Sequence, residues 1–189
     1  GGANDIFVLA ATNPSGAQAG TVQAATDLAT AVGKLKAAGA QYVIVQNLPD
    51  MGKTPSAAAQ GPAAQAALSG LSGLFNSTLN TAIGAAGLQV IQFNTNALFN
   101  EILASPQLYG FVNTTVPACT VPSSVNCTPA TLVNPTANMN YVFADGVHPT
   151  TGAALLQAQA ITSMITGPMQ IAAVGEAPFD IERAQWRTL

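Results

Sequence analysis

Tyr42-Val43-Ile44-Val45-Gln46-Asn47-Leu48-Pro49-Asp50 is the stretch whose reading decides the fold. Four apolar residues, three of them β-branched, stop abruptly at an amide pair and a Leu-Pro-Asp turn. A short continuous run of this kind reads as a strand buried on both faces. Leu88-Gln89-Val90-Ile91-Gln92-Phe93 reads the same way. The segments around the two runs have helical spacing instead. Residues 22–38 set Leu28, Val32 and Leu35 on one face and end at Gly39, a C-cap residue. Residues 63–86 repeat Ala67, Leu68, Leu71, Leu74, Phe75, Leu79 and Ile83 near helical spacing, and residues 95–103 and 152–165 complete the set. Strands alternating with helices predict an α/β fold with a parallel sheet. Such sheets are covered on both faces, and two strands are too few to make one. Further strands are therefore expected from an upstream segment that is disordered, cleaved or a separate piece.

Asp145-Gly146-Val147-His148-Pro149-Thr150 carries the chemistry, because it holds the single histidine of the 189 residues. Histidine titrates near neutrality and is the usual general base. A carboxylate fixes its tautomer and stabilises its cation. One tight turn can bring Asp145 to the imidazole, and Pro149 and Thr150 then open the helix over 152–165. On these residues alone, a histidine that merely precedes a helix is the competing reading. The serines (Ser15, Ser56, Ser69, Ser72, Ser77, Ser105, Ser123, Ser124 and Ser163) all sit in helix-like or loop contexts. None follows a buried strand and a sharp turn.

Gly2-Ala3-Asn4-Asp5 at the start, Gln46-Asn47-Leu48-Pro49-Asp50 in the middle and Asp145-x-x-His148 near the end resemble, in order and spacing, the blocks of the GDSL, or SGNH, serine esterases. The likeness runs from Gly1 to about Gly167. It implies the C-terminal portion of a flavodoxin-like, three-layer α/β/α SGNH hydrolase fold over 1–167. It implies a base at His148, an orienting carboxylate at Asp145 and an oxyanion donor in the Asn4 amide. The substrate implied is a carboxylic ester or lipid, with no cofactor and no metal. The family's Gly-Asp-Ser-Leu block is not in this sequence, so the nucleophile is expected from the upstream segment. A carbohydrate acetyl esterase would share every motif, and a surface protein that has lost its nucleophile would share these three. Asp5 is expected to cap the turn after Asn4, and Asp50 and Lys53 to be turn-forming or solvated.

Composition narrows the setting. About half of the residues are apolar and only 7% are charged, with a net charge of −3. That balance gives no electrostatic case for nucleic acid and suits a secreted protein. No apolar run reaches the ~20 residues of a membrane helix. Cys119 and Cys127 lie in a loop over roughly 112–140 that is dense in Pro, Thr and Asn. A disulfide would order it and point outside the cytoplasm; two free thiols, or less readily a pair of metal ligands, are the alternatives. The loop leads into Asp145 and is expected to wall the acyl pocket. Asn76, Asn113 and Asn126 match glycosylation sequons, as chance in an Asn/Thr-rich chain also provides. Beyond Gly167-Pro168 the charge density rises, with Glu176, Asp180, Glu182, Arg183 and Arg187. Residues 168–189 resemble the linker of autotransporter esterases, which implies a covalent link to an outer-membrane β-barrel and a secreted or cell-surface location. An ordinary helix packing Trp186 is the other reading.

Overall fold

A computed structural model describes residues 1–173, with side chains through Gly167. The longer elements are α1 (Ala3–Thr12), α2 (Ala17–Ala37), β1 (Ile44–Gln46), α3 (Pro55–Ala59), α4 (Pro62–Ala85), β2 (Ile91–Phe93), α5 (Thr95–Ala104), α6 (Ala137–Asn140) and α7 (Thr151–Ala173). β1 and β2 are parallel, with Val45 opposite Gln92, and the helical crossover α4 joins them. The expected α/β order with a parallel sheet is therefore found. The strands are shorter than their apolar runs, and Tyr42 is 84% exposed just ahead of β1. The predicted tail at 168–189 lies mostly outside the described residues. Its first part continues α7 past Gly167-Pro168 to Ala173, beyond the expected end near Ile165. A proline costs an exposed helix one hydrogen bond and a kink, and does not have to end it.

The main core forms where α1, α2 and α4 meet β1, around Ile6, Val32, Val45, Leu68, Leu71, Phe75, Leu79 and Ile83. α4 buries the stripe that its spacing predicts, although Ala67 stays exposed. α2 follows its predicted face only in part, with Val32 buried and Leu28 packed against the core. Its buried stripe is Ala17, Thr21, Ala25, Ala29 and Val32, and Leu35 is 53% exposed. Residues four apart lie along one side of a helix. Small side chains there let α2 and α4 approach closely, and this excludes the bulkier Leu35 row. Gly39 does end α2, at a φ of 95° that favours glycine.

α1 was not foreseen, because the run Ile6-Phe7-Val8 is poor in helix formers. Packing decides it, with Ile6 fully buried. Asp5 lies inside the first helical turn and caps nothing with its side chain. Its charge there still favours the helix N-terminus. Gly2 precedes α1 at φ 101°, and a Cβ would stand 2.4 Å from the Phe75 ring. Only glycine brings the chain so close to that ring.

Side-chain amides tie together the carboxyl ends of the two strands. Asn47 Nδ2 donates to Asn94 Oδ1 (2.9 Å), and Asn96 N–H donates to Asn47 Oδ1 (3.0 Å). Asn76, from α4, accepts from Leu48 N–H and donates to Leu48 O, both at 2.8 Å. Its amide is thus spent on structure, which argues against reading that sequon as a glycan site. Asp50 is turn-forming as expected: it accepts from Gly52 N–H and from the Ser69 hydroxyl. Lys53 Nζ donates to Asn100 Oδ1. This braced segment leads into α3, which borders the turn described next.

A second, smaller core gathers Ile102, Phe111, Val142, Phe143 and Ala153. Phe99 of α5 meets Phe143 edge to face, with ring centroids 5.8 Å apart. The second core supports the segment that carries Asp145. Among the described residues, no helix is long and apolar enough to cross a membrane.

Candidate active site

Val142–Phe143 and Pro149–Thr150 run antiparallel and close a hairpin with Asp145 to His148 at its tip. Ala144 N–H donates to His148 O (2.8 Å), and Thr150 N–H donates to Val142 O (2.9 Å). Phe143 and Pro149 face each other between these bonds. That is a position from which no N–H is required, so proline fits without loss. Pro149 therefore belongs to the hairpin and does not open the helix, as sequence reasoning had it. Thr150 is the cap instead: its Oγ1 accepts from Ala153 N–H (3.2 Å) and donates to Tyr141 O (2.5 Å).

Asp145 is 3% exposed. Its Oδ1 accepts from Val147 N–H (2.9 Å) and His148 N–H (2.8 Å). Its Oδ2 accepts from Ser124 N–H (2.7 Å). His148 Nδ1 lies 3.0 Å from Oδ1 and 2.9 Å from Oδ2. Burial pushes this carboxyl toward its neutral form. The backbone N–H groups of His148, Val147 and Ser124, with the imidazole, outweigh it and hold the pKa well below the usual carboxylate range. An ionised carboxylate only accepts, so Nδ1 must carry the proton. Nε2 of the neutral ring is then the basic nitrogen. The His148 side chain is 61% exposed, and Nε2 has no hydrogen-bond partner among the described residues. The arrangement can take a proton at Nε2 and share the resulting charge with Asp145.

Asp145 and His148 are thus brought together as their spacing predicts. Asn4 lies exposed in the first turn of α1 and makes no hydrogen bond to either of them. Two contacts on the hairpin escape sequence reasoning. Ser124 N–H reaches the carboxylate, and Ser56 N–H, at the start of α3, donates to Gly146 O (2.9 Å). Both use backbone groups, which any residue but proline has.

Cys119 and Cys127 form a disulfide, with Cα atoms 5.8 Å apart. The loop around it is not structureless. It contains short 3-10 turns at Ser124–Asn126 and Pro129–Thr131, and Cys119 bridges Leu132. No group of three or more His, Cys, Asp or Glu that could hold a metal occurs among the described residues. A groove of about 530 Å³ opens between α1, α2 and α4, lined by residues such as Ala10, Gln18 and Leu74, and includes no residue of the hairpin.

Comparison with known proteins matches residues 1–161 to the family of GDSL-like lipases and acylhydrolases. An uncharacterized protein of the trpE-trpG intergenic region of Pseudomonas putida is 32% identical over the whole chain. Esterase EstA of Pseudomonas aeruginosa is 34% identical over 78% of it. Lipase 1 of Photorhabdus luminescens is 29% identical over 43%. The chain spans 33% of the length of the first of these relatives and 24% of the second.

Proposed function

The chain belongs to the family of GDSL-like lipases and acylhydrolases, and on that premise we propose that it carries the acid–base half of a serine esterase, with Asp145 orienting His148 for the hydrolysis of carboxylic esters. The observation that carries this reading is the buried, ionised Asp145 on Nδ1, which leaves Nε2 basic and open. In the reaction, Nε2 takes the proton from a serine hydroxyl as its oxygen bonds to the ester carbonyl carbon. The carbonyl electrons move to the oxyanion. As they return, the C–O bond to the alcohol breaks and the imidazolium protonates the departing oxygen. Nε2 next takes a proton from water, which attacks the acyl-enzyme, and the serine leaves with its proton restored. Asn4 would offer its amide to the oxyanion.

The nucleophile, in this reading, comes from outside these residues. The sequence has no Gly-Asp-Ser-Leu block. Several serine hydroxyls are engaged elsewhere: Ser69 with Asp50, Ser72 with Leu68 O and Ser77 with Leu74 O. The disulfide fits a secreted or cell-surface location, and the resemblance of 168–189 to an autotransporter linker fits attachment to an outer-membrane barrel. The test is p-nitrophenyl ester hydrolysis by the full-length protein. His148→Ala should lower kcat by several orders of magnitude with the fold intact by circular dichroism. Retention of most activity would overturn the assignment of the base. Robust turnover by residues 1–189 alone, lost on mutating one of their own serines, would overturn the external nucleophile.

A further inference from the structure

Residues 121–126 form the tip of a ring that closes on itself through Cys119 and Cys127. One side of the ring is rooted next to the hairpin. Ala118 N–H donates to Phe143 O (2.8 Å) and Cys119 N–H to Ala144 O (2.9 Å), so the ring starts on the two residues before Asp145. The tip has little to hold it by packing, since Val125 is 87% exposed. Among the described residues, one hydrogen bond joins 121–126 to a residue outside the 119–127 ring, and it is Ser124 N–H to Asp145 Oδ2. The ring thus returns to the residue beside which it began. Oδ2 is also one of the two oxygens that face Nδ1 of His148.

From this geometry we infer that the Cys119–Cys127 ring is a positioning device for the Asp145 carboxylate, acting through the backbone N–H of Ser124. The inference rests on the roles proposed for Asp145 and His148. The remaining backbone donors to the carboxylate, from Val147 and His148, converge on Oδ1. Ser124 alone fixes the Oδ2 side from outside the turn, and so sets the plane of the carboxylate toward the imidazole. Without the disulfide, the stem would still pair, through Thr120 N–H to Thr131 O and Val133 N–H to Ala118 O, but beyond it the tip would reach the hairpin only through the hydrogen bond it is supposed to present. A donor that must itself be ordered holds an acceptor poorly.

The test is steady-state ester hydrolysis by the full-length protein carrying Cys119→Ser with Cys127→Ser, or Ser124→Pro. The second variant removes the donor while leaving both cysteines in place. Proline is compatible there, because Ser123 is extended at ψ 131° and position 124 opens a 3-10 turn. Each change is made in the native background and in Asp145→Ala. In the native background each should lower kcat on the order of tenfold, the effect of losing a hydrogen bond to a charged group, with KM little changed. In Asp145→Ala neither should lower kcat further, because residues that act through one group are not additive. An equal fall in both backgrounds would mean that the ring supports the fold at large, and would overturn the proposal. Native kcat in both ring variants would overturn it as well. Native kcat in Asp145→Ala alone would instead overturn the assignment of Asp145, and the ring's role with it.

Discussion

Asp145 combines deep burial with a charge, and that pairing makes it a pH-dependent contributor to stability. Its folded pKa lies below the unfolded value, so the unfolded chain binds the extra proton between the two. Stability from this residue is complete above the unfolded pKa of about 4 and is lost as pH falls from there toward the folded pKa. Urea unfolding measured from pH 5 to pH 2 should show a steep loss in the native protein. Asp145→Asn should show a shallower one, and parallel curves would contradict the account. Asn4 supplies a second prediction at this scale. If its amide binds the oxyanion, Asn4→Ala in the full-length protein should cost on the order of 10²–10³ in kcat; a change confined to KM would argue for ground-state binding instead. The Asp145–His148 pair was legible because it is local: three residues of spacing and one turn define it. Ser124 and Ser56 were illegible because they act through N–H groups that carry no side-chain signature, across 21 and 90 residues of sequence. The role proposed for Asn4 rests on resemblance alone.

Among the elements, the hairpin around Phe143 and Pro149 determines where α7 begins. Thr150 joins the two with one hydroxyl, which accepts from Ala153 N–H and donates to Tyr141 O, and the residue is 2% exposed. Thr150→Val keeps the shape and removes both bonds. It should destabilise the protein by roughly 1–3 kcal/mol, read as a lower urea midpoint with an unchanged slope. An unchanged midpoint would mean that the hairpin is held by Val142 and Phe143 alone. The hairpin could not be read beforehand, because its pairing is two residues deep and one of them is proline. The long helix α4 was readable because its large apolar residues recur at helical spacing. α2 was readable as a helix but only partly in its orientation, through Val32 and Leu28: alanine and threonine stripes look neutral in sequence, and close packing is what selects them. α1 needed Phe75 and the rest of the main core to exist at all.

In the molecule as a whole, the described residues form two cores of unequal size, and the parallel sheet between their helices has two strands. The parallel order was legible from alternating patterns. The length of each strand was not, because an apolar run does not reveal how many of its residues find a partner. Val45 is buried, whereas Ile44 is 36% exposed and Tyr42 is 84% exposed. Among the described residues, β1 is hydrogen-bonded on its β2 side. An apolar strand edge is a template for any other strand that meets it. Only 7% of the residues are charged and the net charge is −3, so repulsion between copies is weak. Residues 1–189 purified alone should therefore associate as their concentration rises. Light scattering should show that growth, and Ile44→Lys should suppress it; identical scattering by the two would place the contact elsewhere. The shelf life of such a preparation would then depend on how dilute it is kept, since crowding of copies, more than unfolding, would remove it from solution.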